Sequence, residues 1–191
     1  IEAINKEIWD KLYVGVVEEI RANLSYAGGE YIKYEWVING DILSLWIESH
    51  PVGWAWWDYY VYNVAISTGT PLSNEEVISS AGLTTEEYYE KAKQVLGSQY
   101  WSNWERDNDN FYDPNFVEWF NQSLRNTISD ENIRISTPCF NSDGQLCIVA
   151  PVYSMAGADY YWHILNMEDF VLLPYYAEDA VLLTHSINIS E

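Results

Sequence analysis

A chain of 191 residues in which 48% are hydrophobic can bury a core, and it is too apolar to be a disordered acidic tail. With 9 Lys and Arg against 29 Asp and Glu, the formal net charge is −20, and no basic cluster occurs, which argues against a nucleic-acid partner. Such an acidic surface confers solubility and suits a cationic partner or Ca²⁺.

The elements follow in chain order. Ile4, Ile8, Leu12, Val16, Ile20 and Leu24 recur at i,i+4 spacing, the apolar stripe of an amphipathic helix over residues 3–24 that YAGGE stops. Next, YIKYEWVINGDILSLWIES reads as a hairpin with Asn39-Gly40 in a type I′ turn. That turn pairs Trp36 with Leu43, Tyr34 with Leu45 and Ile32 with Ile47, all on one nearly continuous apolar face. Lys33, Glu35, Ser44 and Glu48 hold the other face, with Val37, Ile42 and Trp46 among them.

The aromatic run PVGWAWWDYYVYNVAISTG, residues 51–69, splits at period 2. Trp56, Asp58, Tyr60, Tyr62, Val64 and Ile66 stay mostly apolar and are expected in the core. Trp57, Tyr59, Val61, Asn63, Ala65 and Ser67 turn polar, which places Trp57 and Tyr59 at an exposed rim. A short helix after STGTPLSNEEV has Ser73 as N-cap with Glu76 completing a capping box. TTEEYYEKAKQVLG repeats the device with Thr84 and Glu87 and is expected to end at Gly97. A further helix starts with Asp113 as N-cap and Pro114 as its first residue, and buries Phe116, Val117, Phe120, Leu124 and Ile128.

IRISTPCFNSDGQLCIVAPVY reads as a second hairpin, with Asn141–Gly144 as a type I turn closed by a glycine bulge. Its register sets Cys139 directly opposite Cys147, close enough for a disulfide; two reduced, buried thiols are the alternative. No repeat or linker interrupts the chain. The expectation is one α+β domain over residues 1–191, an antiparallel sheet built from hairpins and packed by three to four helices.

Chemistry-bearing signatures are sparse. His50, His163 and His185 lack metal-ligand spacing, and RDNDNFYD (residues 106–113) lacks the sixth-position glycine of a calcium loop, so neither metal nor cofactor is expected. No nucleophile elbow or phosphate-binding loop occurs. Among 29 acidic residues, chance carboxylate pairs carry little information; Asp58, flanked by Trp and Tyr, is the one whose pKa aromatic walls would raise. No apolar run reaches membrane-spanning length, and the start IEAINKEIWDKL, without an initiator Met or signal-peptide pattern, reads as a piece of a longer anchored or secreted protein.

The stretch PVYSMAGADYYWHIL (residues 151–165), the preceding DGQLCIVA, the AINKEI opening and the segment ILSLWIES…YYVYNVAISTGTPLS together resemble a family. It is an extracellular domain family of unknown function from Gram-positive bacteria. It is found in the sensor portion of the lysozyme-responsive anti-sigma factor and beside polysaccharide-deacetylase domains. The resemblance implies an α+β fold, residence outside the membrane at the cell surface, and a protein partner. The lysozyme-sensing relative has a small Gly- and His-containing loop where this chain has SHPVGWAWWDYY, so the aromatic cluster falls where a relative makes contacts.

The functional expectation is a non-catalytic extracellular recognition or sensor module binding a protein, which a cationic one would suit, or the cell wall. The alternative is carbohydrate binding by stacking on Trp54, Trp57 and Tyr59, with Asp58 or Asn63 as hydrogen-bonding partners. A hydrolase using unrecognised carboxylates ranks last, and a structural spacer with all its rings in the core is the remaining option.

Overall fold

A computed structural model describes residues 1–14, 30–51, 58–104, 114–154 and 160–169 of the chain. Helix α1 (Glu2–Ile8) runs into a π-helical turn (Trp9–Val14). Strands β1 (Glu30–Asn39), β2 (Ile42–Pro51), β3 (Asp58–Ala65) and β4 (Thr70–Pro71) form an antiparallel sheet in that order. Four helices follow: α2 (Asn74–Ser80), α3 (Thr85–Trp104), α4 (Pro114–Thr127) and α5 (Asp130–Ile135). Strands β5 (Thr137–Phe140), β6 (Leu146–Tyr153) and β7 (Tyr160–Asn166) make a second antiparallel sheet, also in chain order. The class is α+β, as the sequence predicts, with the hairpins divided between two sheets.

Turn chemistry explains where the first hairpin departs from its predicted register. Asn39 pairs with Ile42, so the loop is Gly40-Asp41 rather than Asn39-Gly40. Gly40 has φ +60°, and no other residue type among those described has positive φ. A type II′ turn needs positive φ only at its first central residue, whereas type I′ would need it at Asn39 as well. Trp36 therefore meets Leu45 instead of Leu43, and Tyr34 meets Ile47. A shift by two residues leaves every side chain on its predicted face.

The second hairpin turns as expected. Gly144 (φ +74°) donates its N–H to Asn141 O at 2.9 Å, and Asn141 N–H donates to Gln145 O at 3.0 Å. Its leading residues are helical, not extended. Ser129 caps α5 by accepting the Asn132 N–H at 3.1 Å, with Asp130 and Glu131 in the first turn, where the helix dipole favours them.

Both predicted capping boxes form, at Ser73 with Glu76 and at Thr84 with Glu87. Helix α3 does not stop at Gly97 but continues to Trp104. Leu96 and Tyr100 extend its buried face across the glycine, and Tyr100 donates its hydroxyl to Phe120 O at 2.9 Å. A glycine inside a helix costs about 1 kcal/mol relative to alanine, less than the ~1.5–3 kcal/mol that a large buried side chain contributes.

The core has two parts. Tyr88, Leu96, Tyr100, Phe120, Leu124 and Ile133 pack the helices against the Ile148, Ala150 and Val152 side of the second sheet. Cys139, Cys147 and Val149, on its opposite side, meet Trp46, Tyr59 and Val61 of the first sheet.

Polar residues fasten the two sheets where they meet. Asn141 is hydrogen-bonded to Gln145, so ladder alternation turns the backbone of Pro138 and Phe140 away from β6. Pro138 has no N–H to waste there, and its carbonyl accepts from Asn63 Nδ2 at 2.8 Å. Phe140 N–H donates to Ser44 Oγ at 3.1 Å, and that hydroxyl donates to Asn63 Oδ1 at 2.6 Å. The inner face of the first sheet thus carries buried Ser44 and Asn63 because it abuts a strand edge whose backbone needs partners.

Candidate functional site: an apolar face and an aromatic cleft

The residues singled out from sequence do not gather into one site. Trp54 and Trp57 lie outside the described residues, as do residues 106–113 and His185. Asn63 is 6% exposed and committed to Ser44 and Pro138, which removes it as a ligand-binding group. Asp58 opens β3 opposite Ser49, half-buried, and burial raises its carboxyl above the usual carboxylate range. Tyr59 is half-buried opposite Glu48, and burial, then the Glu48 charge and hydrogen bond, push its hydroxyl up to about 12.

On β3 the second sheet covers the face expected to be exposed, although Val64, expected in the core, is buried on the other. Tyr59, Val61 and Asn63 point toward the second sheet, while Tyr60 and Tyr62 lie on the outer side, with the Lys11 ammonium 5.6 Å from the Tyr60 ring centre. The nearly continuous apolar face of the hairpin is also on this outer side. Helix α1 and the π-helical turn lie over part of it through Ile8, Leu12 and Trp9, forming an apolar cleft of about 840 Å³. Ile47 and Leu12 are buried there, but the β1 row of Ile32, Tyr34, Trp36 and Ile38 is 43–66% exposed. Trp9 and Tyr13, with ring centres 4.0 Å apart, add an exposed stacked pair on the helix side.

A second cleft, of about 520 Å³, opens where the first sheet, the end of α3 and strand β7 converge. Glu48 and Tyr59 line it from the first sheet and Trp162 from the facing side of β7, while Tyr161 and His163, which pair with Val152 and Ala150, line it from the other side of that strand, around its edge. Asn103 lies at the α3 end, and Tyr153 and Ser154 close the cleft beside β6. Tyr153, Tyr160 and Trp162 form a ladder of rings with centres 5.6 and 6.3 Å apart. Burial lowers the His163 pKa, so its imidazole is neutral at pH 7, with one nitrogen a donor and the other an acceptor. Ser154 is 5% exposed and its hydroxyl has no hydrogen-bond partner.

None of the second-cleft residues except Tyr59 was singled out in the sequence as a ligand group. The run Tyr160-Tyr161-Trp162-His163 was the available signal, but nothing local to it shows that Glu48 and Tyr59 stand across from it.

Cys139 and Cys147 are in register, as expected, and both are free thiols in the structure. Burial raises both pKa values, that of Cys147 to about 11, which keeps them protonated and poor nucleophiles. Among the described residues, no cluster of His, Cys, Asp and Glu could hold a metal ion, and no helix is long and apolar enough to cross a membrane. Compared with protein-family models, curated proteins and solved structures, the chain matches none.

Proposed function

We propose that this chain is a non-catalytic recognition module of the cell surface, and that it docks a cationic protein on the outer face of the first sheet. The observation that carries this reading is the exposed row Ile32, Tyr34, Trp36 and Ile38. Aromatic side chains offer large contact area at low entropic cost, and a contiguous exposed apolar patch marks an interaction surface. The row lies on β1, an edge strand of 10 residues, where an uncovered apolar edge is otherwise an aggregation hazard. A net charge of −20 would draw a basic partner and repel acidic ones. The extracellular setting rests on the family resemblance.

Biosensor titration with cationic secreted proteins, lysozyme among them, and with isolated cell wall tests the reading at low and high salt. A cationic protein should bind at low salt, weaken as ionic strength rises, and lose most affinity against a Tyr34→Ser/Trp36→Ser double variant. Failure of every probe to bind, or equal binding by the double variant, would overturn the reading.

A further inference from the structure

We infer that the cleft between Glu48/Tyr59 and Tyr161–His163 binds an uncharged oligosaccharide. The chemistry of its lining narrows the ligand class stepwise. Among the described residues no Lys or Arg lines it, so they offer no counter-charge to a phosphate or carboxylate. Glu48 would repel such a group outright. No metal-holding cluster occurs among the described residues, and the mixture of rings with Ser, Asn, Glu and His suits no purely apolar ligand. What fits is a neutral molecule with flat apolar faces and many hydroxyls, which is what a sugar ring presents.

Trp162, half-buried and turned to the first-sheet side of β7, supplies ring surface for the C–H face of a pyranose, and Tyr161, 41% exposed on the strand's other side, supplies a second at its edge. Around them stand polar groups with hydrogen-bonding capacity to give. The Ser154 hydroxyl is buried and unpartnered, an arrangement that costs about 1–3 kcal/mol unless a ligand or water meets it. The neutral His163 imidazole both donates and accepts, as a hydroxyl requires, and the Asn103 amide, whose Oδ1 already accepts from Gln99 Nε2 at 2.7 Å, can still donate. Glu48 adds an acceptor, hydrogen-bonded to Tyr59, whose raised pKa keeps its hydroxyl protonated. The volume, about 520 Å³, lies within the ~300–1,000 Å³ typical of small-molecule sites.

This site is separate from the proposed docking face, because Glu48 and Tyr59 project from the opposite side of the first sheet to Tyr34 and Trp36. Either one can fail without the other.

Calorimetric titration of the whole chain with trimers of N-acetylglucosamine, of β-1,4-linked glucose and of α-1,4-linked glucose tests the inference, with a galacturonate trimer as the anionic control. At least one neutral trimer should bind saturably, and Tyr161→Ala should weaken it about tenfold, as loss of one stacked ring does. Ser154→Ala should leave the melting transition in place, since its hydroxyl has no partner to lose, while weakening binding severalfold. Trp36→Ser should bind sugar like the parent chain. The inference is overturned if no neutral trimer binds, if the galacturonate trimer binds as tightly, or if both cleft variants bind like the parent.

Discussion

Asn63 and Ser44 show how much a single polar side chain can decide. Between them they satisfy the Pro138 carbonyl and the Phe140 N–H on a strand edge buried against the first sheet. Asn63→Ala removes the donor to Pro138 and the acceptor for the Ser44 hydroxyl, so it should destabilise the fold by about 2–3 kcal/mol in urea unfolding. The cysteines have a comparably sharp expectation. A thiol reagent at pH 8 should find no reactive group in the folded chain and both thiols after unfolding; a bridged pair would give none in either state. Because the folded Cys147 pKa stands at about 11 against an ordinary 9.0, its protonated form contributes full stability below pH 9. That contribution is lost as pH climbs from 9 toward 11, at up to about 1.4 kcal/mol per pH unit. A melting series across that window, compared with Cys147→Ala, reads the effect directly.

Among the elements, the first hairpin depends on one backbone angle. Gly40 holds φ +60° with nothing within 4 Å of an added Cβ, so Gly40→Ala should cost about 1–2 kcal/mol through backbone strain alone, measurable by thermal unfolding. Turns, caps and strand periods were legible in the sequence because each is set by residues a few positions apart. Ser73 with Glu76, Thr84 with Glu87, and the three-residue loop ending at Gly144 all formed as read. Apart from the first hairpin's turn, which forms at Gly40-Asp41 rather than Asn39-Gly40 for a local reason, the failures at this scale have tertiary causes. Gly97 carries a helix-stop signal locally, but burial of Leu96 and Tyr100 on either side of it prevails. Residues 133–135 read as the start of the second hairpin, but the Ser129 cap and burial of Asn132 and Ile133 hold them helical.

At the scale of the whole molecule, what matters is which side of the first sheet the second sheet covers. Trp36 and Tyr34 belong to the more apolar face, and by alternation alone they would be core. In the fold they are the most exposed part of that face, so Tyr34→Ser/Trp36→Ser should change stability by no more than about 0.5 kcal/mol in urea unfolding. Were those rings packed inside, the same change would cost several kcal/mol; truncating a buried Trp or Phe typically costs about 3–5 kcal/mol. Its solubility should rise as well, since two exposed rings leave an uncovered strand.

The sequence by itself determined the α+β class, the two hairpins, the capped helices and the facing cysteines, because short-range sterics and hydrogen bonds select them. Only the tertiary structure decided which faces are inside. Ser44 and Asn63 read as solvent-facing until the strand edge they serve arrives from 96 and 75 residues away. The aromatic cleft is likewise assembled from Glu48, Tyr59, Asn103 and residues 153–163, which chain folding alone brings together. Alternation gives a strand two sides, and what packs against them is a property of distant residues.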